Sequence, residues 1–239
     1  MKPKTRPRSE RTREAILQAA IEEFGACGVS GARTDAIAAA AGVNKALLYH
    51  YFHSKSELHK ATLQSVMEGV LEQTLAVLQR EGSAGECLLR WALQHFDRMI
   101  AHPEYRRLLQ QEFVRLQSPT SEFLPQLLKT SFRAVIKRAS TVMADGVRAG
   151  ELCPMDPIQA TYSILGPNVF YFLSAPMMGL AGSFDPLSRA SLQRRREALL
   201  SFLALALFVD RAHGAVIASR ILADTPIPRT EFRSRRKRL

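Results

Sequence analysis

Along almost the whole chain, apolar residues recur three and four positions apart, and no stretch of β-branched residues alternates with polar ones. That spacing winds a single apolar stripe along a helix, whereas a half-buried strand needs strict alternation, so the chain is expected to be all-α. Glycine and proline punctuate it. Breaks at "GACG", Gly42, "EGSAG", "HPE", "SPTS" and "GELCPMDP" leave nine helix-length segments, at about 9–24, 34–41, 44–52, 54–80, 86–101, 104–117, 122–149, 157–178 and 188–213. With 46% of 239 residues hydrophobic, they can bury a substantial core.

Two segments restrict the packing further. Residues 158–184 contain no charged side chain and are long enough to span a membrane. Gln159, Thr161, Ser163, Asn168 and Ser174 are polar, however, Pro167 and Pro176 interrupt the backbone, and no lysine or arginine cluster flanks either end. A buried, kinked helix is the expectation, and no membrane partner. The run "ALLSFLALALFV", 198–209, is apolar all round for three turns and must be covered on both flanks.

The net charge of +11 lies at the ends. Residues 1–13 and 225–239 each carry a net of +5, which leaves the body between them nearly neutral. Basic ends can meet nucleic acid or acidic lipid, or stay solvated. Cys27, Cys87 and Cys153 are odd in number and widely spaced, and fit neither a disulfide framework nor a metal motif. The basic start lacks the apolar core of a secretory signal, so a reducing cytoplasmic setting is expected. No paired carboxylates, nucleophile elbow, P-loop or HExxH stands in the sequence, and no enzyme, cofactor or metal is implied.

The stretch "AGVNKALLYHYFHSKSEL", 41–58, carries the functional signal. A short helix with Thr34 as its expected N-cap and Asp35 in its first turn ends at Gly42. A second follows, capped by Asn44, and Ser54 with Glu57 forms a capping box for a third. Ile37, Ala38, Ala41 and Val43 are small or apolar enough for two helices to cross closely, and Leu48 and Phe52, four apart, face inward. Lys45, Ala46, Tyr49 and His50 are left on the open side, and Lys55 sits at a helix start suited to phosphate. The arrangement is that of a helix-turn-helix presenting its second helix to the DNA major groove.

Residues 12–62, "TREAILQAAIEEFGACGVSGARTDAIAAAAGVNKALLYHYFHSKSELHKAT", resemble the DNA-binding domain of the TetR family of bacterial transcriptional regulators. The alanine-rich first helix, "AAGV", "LYHYF" and "SKSEL" carry the likeness in order and spacing. The resemblance implies DNA-facing positions at Arg33, Thr34, Asn44, Lys45, Ala46, Tyr49, His50, Tyr51 and Lys55. Leu47 stands where family members commonly carry a small hydroxyl residue that contacts DNA. The family layout implies a basic arm at 1–8, a three-helix DNA-binding domain at 9–54, a ligand-binding and dimerisation domain at 55–223 and a basic, disordered tail at 224–239. It places Trp91, Phe96, Met99, Phe113, Phe132, Met143, Asn168 and Phe172 as candidates for an effector pocket. Phe170, Leu199, Phe202, Leu203 and Leu207 become candidates for the dimer contact. The expected function is that of a homodimeric regulator, a repressor released from a palindromic double-stranded operator by a small, largely apolar effector. The same residues also suit a nucleoid-associated or structural DNA-binding protein of this fold, controlled by a protein partner without a small ligand.

Overall fold

The computed structural model describes residues 7–115, 123–182 and 185–229. These residues form ten helices: α1 (Arg8–Gly31), α2 (Thr34–Ala40), α3 (Lys45–Phe52), α4 (Lys55–Leu78), α5 (Ala84–Ala101), α6 (Pro103–Arg115), α7 (Phe123–Arg148), α8 (Pro157–Ala181), α9 (Arg189–Leu207) and α10 (Arg211–Asp224). None of the described helices is long and apolar enough to cross a membrane. The expected basic ends fall largely outside the described residues, at 1–6 and 230–239.

The expected ninth helix is two helices, and the count is ten. Leu207 closes α9, and the chain extends through Phe208 to pair with the loop after α7. There the Cys153 N–H donates to the Leu207 carbonyl at 2.8 Å and the Val209 N–H to the Glu151 carbonyl at 3.0 Å. The Asp210 carboxylate then accepts from the Ala212 and His213 N–H groups, which starts α10. Two further boundaries move. Helix α1 continues past "GACG", with non-helical backbone at Gly28 (φ 67°). Gly25 lies within α1 and lets α6 approach it closely: a Cβ there would stand 2.8 Å from the Glu104 carbonyl oxygen. Thr34 is the first residue of α2, and its extended N-cap is Arg33.

The chain divides into two compact units. The first comprises residues 1–70 and 102–131. Its core gathers Ile16, Ala20, Phe24, Ile37, Leu48 and Leu58, all fully buried, with Leu108 of α6 closing it. Buried on the same side, His59 of α4 pairs with Glu112 of α6 at 3.3 Å and sets its ring edge-on to Phe24.

The second unit comprises residues 71–101 and 132–239. Its core is built by the apolar face of α5, with Leu88, Trp91, Ala92 and Phe96, against α8, α9 and α10. Arg196 of α9 is buried within it, at 1% exposure. Its guanidinium grips Asp97 of α5 with two bonds, Nε to Oδ1 at 2.7 Å and a terminal nitrogen to Oδ2 at 2.8 Å. The same nitrogen donates to the Thr225 carbonyl at 2.8 Å, which ties the end of α10 to α5 and α9. Burial pushes the Asp97 carboxyl up, and Arg196 pulls it back towards the ionised form.

Candidate nucleic-acid interface

Two helices of seven and eight residues are too short to persist alone in water, so the geometry of α2 and α3 depends on caps and on the core beneath. Helix α2 closes with paired turn bonds: the Val43 N–H reaches back to the Ala38 carbonyl at 3.0 Å and the Gly42 N–H to the Ala39 carbonyl at 3.2 Å. This closure needs a left-handed residue, and Gly42 supplies it at φ 70°. Helix α3 opens with the Asn44 side-chain oxygen accepting from the Leu47 N–H at 2.7 Å. Leu48 and Phe52 are buried in the first unit's core, as their spacing predicts. The Arg13 guanidinium lies over the Phe52 ring, 5.4 Å from its centre, and adds a cation–π clamp from α1.

The opposite face of α3 is open. Arg33, Asn44, Lys45, Ala46, Leu47 and His50 are exposed, and Tyr49, Tyr51 and Lys55 are half-buried. Thr34 is buried, with its hydroxyl 3.2 Å from the Tyr49 hydroxyl, so this pair braces α2 against α3. His50 meets Tyr51 edge to face. The Arg33 N–H donates to the buried Glu23 carboxylate, which fixes the backbone where α2 begins and leaves the guanidinium outside. The Lys55 ammonium donates to the Ser30 carbonyl at 3.1 Å, and the Ser54 hydroxyl caps α4 by accepting from the Glu57 N–H. Donors, rings and small apolar groups are thus exposed or half-buried on and beside α3, a set of a kind that can meet a groove.

Sequence spacing does not disclose that Lys45 is engaged. Its ammonium lies 3.0 Å from the Asp35 carboxylate across the α2–α3 turn, and both side chains are more than half exposed. The hydrogen bond and the charge of Asp35 hold the ammonium above its ordinary pKa. Asp35 therefore orients Lys45 and also opposes a phosphate's approach. Asp35→Asn is expected to tighten binding to random-sequence DNA and to steepen its salt dependence by about 0.9 per subunit for the added phosphate contact. A titration of binding against salt concentration checks this.

The candidate pocket residues of the second unit have a different setting. Trp91, Phe96, Met143, Asn168 and Phe172 are buried in its core, with the Phe96 and Phe172 rings 5.0 Å apart. Met99 packs against that core, half-buried, and Phe132 is 41% exposed. The side chain of Phe113 lies outside the described residues. Asn168 donates its amide to the Ala92 carbonyl at 3.0 Å and to Nδ1 of His95 at 3.2 Å. The second bond needs an unprotonated Nδ1, in keeping with burial lowering the His95 pKa to about 4. An apolar depression of about 590 Å³ lies at the end of α8, beside Ala175, Pro176, Gly179 and Leu187, and none of the candidate pocket residues lines it.

Of the five candidate dimer residues, Leu199, Leu203 and Leu207 are buried in the chain's own core. Phe170 and Phe202 are 68% and 60% exposed. Tyr162, Leu173, Met177 and Leu180 of α8 and Leu205 of α9 are likewise apolar and more than half exposed.

Similarity to known proteins falls in two stretches of the chain, the second of which includes residues of both units. A model of "Bacterial regulatory proteins, tetR family" matches residues 16–62, and a "Tetracyclin repressor-like, C-terminal domain" model matches residues 85–203. The HTH-type transcriptional regulator RutR of Escherichia coli is 26% identical over 166 residues, which is 70% of this chain and 76% of RutR. The HTH-type transcriptional repressor SCO4008 of Streptomyces coelicolor is 38% identical over 101 residues, covering 42% of this chain and 48% of the repressor. The crystal structure of FadR from Bacillus subtilis, in complex with stearoyl-CoA, shares the fold at a TM-score of 0.60 and 20% identity, over 78% of this chain and 96% of that one. A capped, core-braced helix-turn-helix, together with the two family matches, leaves one assignment: the chain belongs to the TetR family of bacterial transcriptional regulators, which bind DNA.

Proposed function

We propose that the protein is a homodimeric repressor that reads a pseudo-palindromic operator through α3 and is released by a small, largely apolar effector. The observation that carries this reading is the outward face of α3. Lys45, Ala46 and His50 are exposed on a helix whose other side is locked by Leu48 and Phe52. Two such heads related by a two-fold axis would read half-sites one helical turn or a small multiple apart. Support for the dimer comes from the exposed apolar side chains of α8 and α9, which a second copy would cover. In division of labour, residues 9–54 would read DNA and 55–223 would bind effector and partner subunit. Among structural neighbours, FadR was solved with stearoyl-CoA, a ligand with a long apolar chain, and this supports an apolar effector for the apolar core of the second unit. Such an effector would act by binding the DNA-free state more tightly, and operator would weaken effector by the same factor.

The test separates reading from positioning. Lys55→Ala is expected to weaken binding to operator and random DNA alike, since it removes a phosphate contact at the α4 start. Lys45→Ala and His50→Ala are expected to relax base preference as well, by about 1–3 kcal/mol at a contacted pair. Binding of each variant to operator fragments selected from a random pool, and to scrambled controls, gives the comparison. Equal losses on both DNAs for all three variants would remove α3 as the reading element.

A further inference from the structure

We propose that Leu47 is a specificity-determining residue that reads one thymine per half-site through its 5-methyl group; this rests on α3 being the helix that reads DNA. In an eight-residue helix every apolar side chain with a structural duty should be in the core, and Leu48 and Phe52 are. Leu47 is not. It is 37% exposed, outside the buried cluster, among the exposed Asn44, Lys45, Ala46 and His50. Its backbone is fixed, because its N–H is the donor that Asn44 caps at 2.7 Å. It therefore stands in the first turn of α3, the part of a recognition helix that meets base edges.

The chemistry of that position is restrictive. A leucine side chain neither donates nor accepts hydrogen bonds, so the donor and acceptor pattern of a base edge gives it nothing to recognise. Among the four bases the thymine methyl is the one apolar feature on the major-groove edge. Against any other base, Leu47 would strip water from polar atoms and return no bond, which disfavours those bases as well. Ala46, Lys45 and His50 are exposed on the same short helix, so an apolar methyl and polar groups accompany Leu47 there.

The experiment uses the full-length protein and DNA that it selects from a random-sequence pool. Each thymine of the selected site is replaced in turn by deoxyuridine, which deletes the methyl group and keeps every hydrogen-bonding atom. For the unaltered protein, one substitution per half-site is expected to weaken binding about fourfold, the effect of burying one methyl-sized group. Leu47→Ala should bind the thymine site more weakly and lose this sensitivity, whereas Leu47→Met and His50→Ala should keep it. Because Leu47 is exposed, thermal melting of all three variants should match the parent. The proposal is overturned if no thymine is methyl-sensitive, or if the sensitive thymine remains so in Leu47→Ala. If the protein selects no sequence at all, the reading of α3 as a base-contacting helix fails, and Leu47 falls with it.

Discussion

Arg196→Met is expected to destabilise the second unit by about 3–5 kcal/mol. The substitution keeps much of the side chain's bulk and removes the partner of a carboxylate, Asp97, that is itself 86% shielded from solvent. It also deprives the Thr225 carbonyl of its donor. A buried ion pair contributes little net stability compared with apolar packing, because desolvation offsets the attraction, but half of one is costly. The double replacement Asp97→Leu with Arg196→Met should therefore recover most of the loss. Urea unfolding followed by circular dichroism measures both. A loss below about 1 kcal/mol for Arg196→Met would mean that water reaches this pair and that the two bonds to Asp97 are not a core contact.

Phe170→Asp combined with Leu173→Asp is expected to yield a folded monomer. Both side chains are more than 60% exposed in the single chain, so the charges meet water in the monomer and apolar surface only in an assembly. Loss of the partner head removes the effective concentration that couples two half-sites, and operator affinity should fall by about 100-fold or more. Analytical ultracentrifugation and operator titration check the two halves of the prediction. A dimer that survives would move the interface off the face of α8. The contrasting substitution, Leu203→Asp, places a charge in the chain's own core and should impair folding.

Leu203 shows where sequence reading stops. An all-round apolar helix announces that it will be covered, and by periodicity alone its self-facing side cannot be told from its partner-facing side. The structure assigns Leu199, Leu203 and Leu207 to the core and leaves Phe202 and Leu205 outside. The break between α9 and α10 was hidden for a related reason. Phe208 and Val209 continue the apolar run, and what ends the helix is a pairing with Glu151 and Leu152, more than fifty positions away in sequence. Gly25 misled in the opposite direction. It resembles a stop, yet it serves the close approach of α6, a contact between segments distant in the chain. Where the cause is local, the signal is legible to within a residue, as at α2, whose N-cap is Arg33 rather than Thr34. The Gly42 turn, the Asn44 cap, the Ser54 cap and the inward Leu48 and Phe52 all depend on residues within a few positions of each other. The Lys45–Asp35 pair spans ten positions and a turn, so its existence required the fold.

The shortness of α3 has a genetic consequence. An eight-residue helix has almost no rigidity of its own, and its shape is lent by Ile16, Phe24, Ile37 and Leu58 beneath it. A screen for mutants that no longer occupy the operator should therefore return many substitutions in this hidden layer, on residues that never touch DNA. They would differ from contact mutants in a recognisable way: cooling, or a second substitution that stabilises the fold, would restore occupancy with the original base preference, whereas changes at Lys45, Leu47 or His50 would resist such suppression.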